Sequence, residues 1–392
     1  MGNPTRRVFL VSGAASLVRT AAPQSSPLPD AIHKLRPMTG GIHPIQREEY
    51  EARVEKARRY MRENRLNAVL MERGSSAYYF SGERRDQILL MSRRDEPVWL
   101  PLGTGDTKYK PVAEALKERG AVTGRLGIEE RVRFEVVDAL GKLAPALEFT
   151  SADPVTAGCR MIKSPAELAL MQRANDITIA CYRAALASLR EGMTQHELSA
   201  NIAAAYKALG VDGNAMAIFG KYTAYPHGSV QPQKLREGDL VLIDDGCSVE
   251  GYQSDVTRTV IFGKATARQR EIWELERRAQ DAALAAAKPG RPCEDVDAAA
   301  RKVITDYGFG PGYKVPGLPH RTGHGIGLDG HEWPYLVHGN KRPLEPGMCF
   351  SDEPTIAIYG EFGVRLEDCM YITEDGARLF TKQSPAIDQP FG

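Results

Sequence analysis

The residues best suited to chemistry in this chain are acids set at the ends of apolar, strand-like runs. Asp244 closes the run Leu240-Val241-Leu242-Ile243, and Glu353 follows Met348-Cys349-Phe350. A carboxylate in such a place faces a large desolvation cost unless it is paired or bound to a metal. Each has an acidic partner further along, Asp255 and Glu367. Arg365 and Glu367 alternate with Val364, Leu366 and Asp368, which predicts that the two side chains share one strand face. His324 sits in Gly323-His324-Gly325-Ile326-Gly327, where glycines permit close backbone approach. Singly, none of these residues is informative, because an Asp at a strand end usually caps or turns and a lone His usually satisfies a hydrogen bond. Together, Asp244, Asp255, His324, Glu353 and Glu367 form an oxygen-rich set with one imidazole, suited to Mn, Co, Zn or Fe rather than to a thiolate-type site. Its four ionised carboxylates offset the four charges of two divalent ions, whereas around one ion they would repel strongly. That arithmetic predicts two metals sharing a water that becomes hydroxide near neutral pH, and of the four candidate metals manganese is expected first.

The elements that must carry these residues can be read from capping and periodicity. Ser164, Pro165 and Glu167 start a helix with a capping box, and Leu168, Met171, Ala174, Ile177, Cys181, Ala185 and Leu189 follow on one face. Thr194 with Glu197 starts another, stopped by Gly210. A strand pair is expected at Leu240–Ile243 and Thr257–Phe262. The order then recurs: Thr266 and Gln269 cap a long helix ending at Lys288-Pro289-Gly290, a helix spans about Glu294 to Tyr307, and strands fall near Met348–Asp352 and Val364–Ile372. Gly238 precedes Asp244 by six residues, as Gly347 precedes Glu353. An internal duplication follows, with helices outside, a curved sheet inside and the acids where the halves meet. Ahead of it, helical spacing from Gln46 to Arg65, strand-like runs at Ala68–Met71, Gln87–Met91 and Val98–Leu100, Gly127-Ile128-Glu129 and an amphipathic stretch from Phe134 to Leu143 describe a smaller α/β domain.

Composition removes other classes. The 392 residues suit two domains, and 51 Lys+Arg against 50 Asp+Glu leave no net charge to attract nucleic acid or an anionic membrane. No run of eighteen apolar residues predicts a membrane span. The six cysteines are scattered beside apolar residues without CxxC or Cys/His spacing, and are expected to be buried free thiols. Thr5-Arg6-Arg7-Val8-Phe9-Leu10 before a modestly apolar Val8–Val18 resembles a twin-arginine leader. Residues 1–40 are accordingly expected to be leader and linker and the protein to be exported; a cytoplasmic protein with a frayed tail is the alternative. Trp273 and Trp333 are expected to pack, and Arg277-Arg278 to face solvent.

Four spans carry a family resemblance: Ile243 to Cys247, Tyr252 to Thr259, His320 to His331 (His-Arg-Thr-Gly-His-Gly-Ile-Gly-Leu-Asp-Gly-His), and Glu353-Pro354 with Gly363 to Asp368. They resemble the pita-bread metallopeptidases, the family of methionine aminopeptidase, aminopeptidase P, prolidase and the metal-free creatinase. The resemblance implies an α+β fold: a pita-bread catalytic domain with a pseudo-twofold internal repeat over 161–392, preceded by a creatinase-like α/β domain over 41–160. Ser76 to Gly82 is similar to that family's tyrosine-rich turn.

The same resemblance implies roles. Asp244 holds one metal, Asp255 and Glu367 bridge both, and His324 and Glu353 complete the second sphere. Glu353 also shuttles a proton from the bridging hydroxide's parent water. His227 falls beside the substrate, and His331 stabilises the tetrahedral intermediate. His320 and Arg365 match the proline-directed branch, which implies hydrolysis of an Xaa-Pro bond in dipeptides or at a peptide's N-terminus, in a homodimer or homotetramer. A methionine-aminopeptidase-like exopeptidase and a metal-free creatinase-like amidinohydrolase are the alternatives; a binding protein on an inactive fold would have lost ligands. Three residues depart from the family pattern. Asp245 and Asp352 add acids beside the expected ligands, either to pair with Arg258, Arg321 or Arg365 or to alter the choice of metal, and Thr355 replaces a glycine after Glu353-Pro354.

Overall fold

The computed structural model describes residues 28–391, so the expected leader motif at residues 5–18 lies outside the described residues. After a short helix α1 (Asp30–His33), the chain enters α2 (Arg47–Glu63), β1 (Leu66–Met71), α3 (Ser75–Ser81), β2 (Ile88–Ser92), β3 (Val98–Leu100), α4 (Lys110–Glu118), β4 (Gly124–Ile128), α5 (Phe134–Leu143), β5 (Leu147–Ser151) and α6 (Asp153–Arg160). The strands make one sheet in the order β3-β2-β1-β4-β5. Both faces of β1 are covered. Ala68 and Leu70 pack with Val112, Leu116, Val136 and Leu140 of α4 and α5. Val69 and Met71 pack with Val54, Ala57 and Met61 of α2, in a core that continues into the second half of the molecule. The Ser76–Gly82 stretch is helical rather than a turn: α3 ends at Gly82, whose φ of 70° is the left-handed C-terminal stop.

The second half holds α7 (Pro165–Leu186), α8 (Gln195–Leu209), β6 (Met216–Phe219), β7 (Leu240–Asp245), a small hairpin of β8 (Ser248–Val249) and β9 (Tyr252–Gln253), and β10 (Val256–Ile261). It continues through α9 (Ala267–Ala286), α10 (Cys293–Asp306), β11 (Gly323–Gly325), β12 (Glu332–Leu336), β13 (Cys349–Asp352), β14 (Thr355–Ile358), β15 (Phe362–Arg365), β16 (Asp368–Thr373) and β17 (Gly376–Leu379). All three expected capping boxes form, at Ser164/Glu167, Thr194/Glu197 and Thr266/Gln269. Two helices followed by antiparallel strands occur twice, with β7–β10 and β13–β16 in corresponding places. The repeat is therefore structural as well as textual.

One expected strand is broken. The run Val364–Ile372 splits into β15, which pairs with β14, and β16, which pairs with β13. Arg365 and Glu367 thus do not share a face of one continuous strand. The cause is local: the Glu367 N–H donates to the Thr257 carbonyl (3.2 Å), and the buried Arg258 guanidinium donates to the Glu367 carbonyl (2.8 Å) and the Asp368 carboxylate (2.7 Å). The backbone at Glu367 is drawn to β10 instead of continuing its sheet. The six cysteines are free and buried. Trp273 packs in the core, donating its indole N–H to the Thr259 carbonyl (2.9 Å), whereas Trp333 lies at the surface with its ring edge-on to Tyr335, centroids 6.0 Å apart. Among the described residues no helix is long and apolar enough to cross a membrane.

Between the two halves lies an ionic clamp. Arg160, at the end of α6, donates to Asp329 (2.6 Å), to Glu332 and to Ser76. Lys163 donates to the other oxygen of Glu332 (2.6 Å), while Arg131 and Ser75 reach Asp329 (3.0 and 2.6 Å). Burial alone would raise the Glu332 carboxyl, but Lys163 and Arg160 hold it below its ordinary value. Removing one partner of such a buried set costs about 3–5 kcal/mol. Arg160→Met is expected to lose that much unfolding free energy in urea titration. A depressed carboxylate contributes its full stability above the unfolded pKa, about 4.3, and loses it as pH falls through the lower folded value. Unfolding titrations below that pH should therefore show a shallower acid-side decline for Glu332→Gln than for the natural chain.

Candidate metal centre

The five expected ligands come from five separate places and meet. Asp244 is near the end of β7, Asp255 immediately precedes β10, His324 is central in β11, Glu353 follows β13 and Glu367 stands in the break between β15 and β16. Ligand atoms of Asp244, Asp255 and Glu367 all lie within 4.8 Å of one another, as do those of His324, Glu353 and Glu367. Glu367 belongs to both groups. The triads are therefore adjacent and share a carboxylate, the arrangement that two neighbouring cations require. A third grouping, Asp255 with His324 and His331, satisfies the same limit.

The site is strained by its own charge. Burial and then the neighbouring Asp244 push the Asp255 carboxyl well up; burial and then Asp255 and Glu353 do the same to Glu367. Burial would also raise Glu353, but His324, 3.1 Å away, holds it below the ordinary carboxylate range. Thr257 Oγ1 lies 2.7 Å from both Asp244 Oδ1 and Glu367 Oε2. One hydroxyl proton can serve only one of them. The remaining oxygen, Glu367 Oε1, is buried without a partner. An oxygen donor set crowded beyond neutrality, with an orphaned buried carboxylate atom at its centre, fits divalent cations.

Around the acids the histidines and Arg365 form a polar frame. Arg365 Nη1 pairs with Asp244 Oδ2, its Nε donates to Thr355 Oγ1 (3.0 Å), and its Nη2 donates to the Pro226 carbonyl (3.0 Å). His320 Nε2 lies 2.9 Å from the same Thr355 hydroxyl. The departure at position 355 thus links His320 to Arg365. His227 itself is exposed, and its loop is tied to the cluster through Pro226. His331 packs against His324 with ring centroids 3.8 Å apart and planes tilted by 36°, and its Nδ1 is 3.0 Å from Arg321 Nη2. Its outer edge stays exposed, yet desolvation of the inner face, His324 and Arg321 together push its pKa down to about 4. Burial likewise lowers His320.

The extra acids do not find the arginines suggested for them. Arg258 pairs with Asp368, Arg365 with Asp244, and Arg321 with His331. Both carboxylate oxygens of Asp352 are buried without a hydrogen-bond partner, and burial followed by the Asp368 charge pushes this carboxyl well up, toward its neutral form. Asp245 accepts from the N–H of Gly246 (2.8 Å) at a φ of 132°, a left-handed conformation that strains a non-glycine residue beside the site. Several contributors went unseen in the sequence. Thr257 reads in the sequence only as the start of a strand, and the one signal of its role is its place two residues after Asp255 on an extended segment. Asp297 of α10 accepts from Thr322 N–H and hydroxyl (3.0 and 2.8 Å), while Arg301 donates to the His320 carbonyl, so this helix sets the path into β11. A cavity of about 660 Å³ lies alongside, between α6 and β12. His331 and Trp333 are in its wall, but none of the four carboxylates is, so it adjoins the centre without being it.

Replacing Thr257 with Val keeps the shape and removes the hydroxyl between two ligands. Such supporting contacts typically govern metal affinity by 10–100-fold. Thr257→Val is expected to weaken metal binding by about 10-fold or more in competition with a chelating dye.

Comparison with known proteins agrees with this geometry. The model of metallopeptidase family M24 matches residues 169–374, and that of the creatinase/prolidase N-terminal domain matches residues 53–162. The chain is 32% identical over 348 residues to an Xaa-Pro dipeptidase of Pyrococcus furiosus, covering 84% of this chain and 97% of that protein. Its structure matches that of a dipeptidase from Pyrococcus horikoshii OT3 with a TM-score of 0.79 at 30% identity, over 86% of this chain and 99% of the other. An Xaa-Pro dipeptidase from Bacillus anthracis gives a TM-score of 0.78 at 27% identity, over 86% and 98%. With that breadth of match, and with its acids and imidazole gathered as described, the chain belongs to metallopeptidase family M24 and carries the creatinase/prolidase N-terminal domain of that family.

Proposed function

We propose that this protein is a two-metal Xaa-Pro dipeptidase. The observation that carries the reading is the pair of ligand triads sharing Glu367, in a chain whose full-length relatives include Xaa-Pro dipeptidases. Asp244, Asp255 and Glu367 would hold one divalent ion, and His324, Glu353 and Glu367 the other, with Asp255 reaching both. Manganese suits the hard, carboxylate-rich donors, and cobalt, zinc or iron are compatible with them. Ions bound there supply Lewis acidity toward the scissile carbonyl and lower the pKa of a coordinated water.

The chain's own groups do the rest. Glu353, kept ionised by His324, accepts the proton of the attacking water. An Xaa-Pro bond has no N–H, and its nitrogen departs only when protonated. Glu353 returns the proton to that nitrogen. His331 donates to the oxygen that gains charge as the carbonyl becomes tetrahedral. Arg365 holds Asp244 and the Pro226 carbonyl together, which sets the His227 loop against the centre, and Thr355 couples His320 to that arrangement. A methionine-aminopeptidase-like reading is disfavoured by the N-terminal domain and by His320 and Arg365 in this frame. A creatinase-like, metal-free reading is disfavoured because all five ligands are present.

Purified protein stripped with a chelator is expected to lose Ala-Pro hydrolysis and to regain it on addition of Mn²⁺ or Co²⁺. Ala-Pro should be cleaved in preference to Ala-Pro-Ala and Met-Ala. Undiminished turnover in protein shown by elemental analysis to be metal-free would reject the mechanism, and a preference for Met-Ala would reject the substrate class.

A further inference from the structure

The contact between Arg321 and His331 fixes more than a distance. A guanidinium has donors only and remains protonated. With Arg321 Nη2 at 3.0 Å, His331 Nδ1 has to be the acceptor. An imidazolium has no acceptor nitrogen, so His331 is neutral in this arrangement and its one ring proton is on Nε2. The ring faces two metal-site residues, one of its nitrogens lying within 4.8 Å of ligand atoms of Asp255 and His324. Position alone would let His331 join them around a cation. With its Nδ1 lone pair engaged by Arg321 and its Nε2 carrying the proton, neither ring nitrogen has a lone pair to give.

We propose that Arg321 is a positioning residue that locks His331 as the Nε2–H tautomer, making it a hydrogen-bond donor to the reacting carbonyl oxygen and barring it from metal ligation. The inference rests on the role given to His331 above. The guanidinium is well placed for this task. It lies over the Tyr335 ring, 4.9 Å from the centroid, and its Nε is buried without a partner. The aromatic face steadies the fork without an opposing carboxylate drawing it away from the imidazole. The strand turn that carries His331 is fixed separately by Asp329 and Glu332 in the ionic clamp. Arg321 therefore controls the ring's protonation and the clamp controls its backbone.

The test uses the full chain, ¹⁵N-histidine-labelled and loaded with diamagnetic Zn²⁺, with His331 assigned by comparison with His331→Gln. Long-range ¹H–¹⁵N spectra are expected to show Nε2 protonated and Nδ1 bare. A proton on Nδ1, or Nε2 bound to metal, would overturn the proposal. In the Mn²⁺ enzyme, Arg321→Ala should lower kcat for Ala-Pro by about 10–100-fold, with KM and the metal content of two ions little changed. Arg321→Lys, which can still donate to Nδ1, should recover part of the loss. A raised KM with kcat preserved would instead assign Arg321 to the substrate carboxylate and overturn the proposal. Failure of the natural enzyme to cleave Ala-Pro would remove the dipeptidase reading, while the nitrogen spectra would still decide the tautomer.

Discussion

Mutual repulsion among four carboxylates in a largely desolvated space is the constraint around which this molecule is arranged. Asp244, Asp255, Glu353 and Glu367 cannot all be ionised together without positive charge between them. The fold does not relieve the crowding with arginines at every acid, which would leave nothing for cations to do. Arg365 neutralises one edge at Asp244, and His324 steadies Glu353. Arg258 grips the backbone of Glu367 and the side chain of the next residue, leaving the Glu367 carboxylate uncompensated. The frame thus holds the acids in place while withholding the charges that would satisfy them.

That division explains the broken strand. If β15 ran on into β16, Glu367 would point to one face of a single sheet, fixed by the sheet's own pleat. By interrupting the ladder and borrowing a hydrogen bond from Thr257, the chain brings Glu367 against both triads. Irregular backbone here is what lets a single carboxylate be shared.

Asp244 and Glu353 were legible because an acid at the end of an apolar run contradicts its surroundings, and Asp255, His324 and Glu367 because they recur with them in an ordered spacing. The capping boxes were legible because each is a local contract between residues three apart. What could not be read is of another kind. Thr257 is a good strand former, and nothing in its type shows that two carboxylates meet over its hydroxyl. The interruption at Leu366-Glu367 is hidden by a faultless alternation of side chains, since pleat periodicity says nothing about which neighbouring strand will take the hydrogen bonds. Ser75–Ser81 is rich in residues that suit turns, and becomes helical because Ala77, Tyr79 and Phe80 are buried against α2 and β1. Asp329 and Glu332 look like ordinary solvated acids beside a histidine; their partners lie some 170 residues earlier.

Those last two acids carry an evolutionary implication. The loop bearing His331 belongs to one folding unit, but the cations Arg131 and Arg160 and the hydroxyl of Ser75 that hold its acids come from the other, with Lys163 at the junction. A descendant that shed its first unit would leave Asp329 without its cationic partners and Glu332 with Lys163 alone, on either side of His331. Such a lineage would be expected to carry a neutral residue at position 329 or to bring another cation to it. The ionic contact between the units thus ties the position of His331 to both of them.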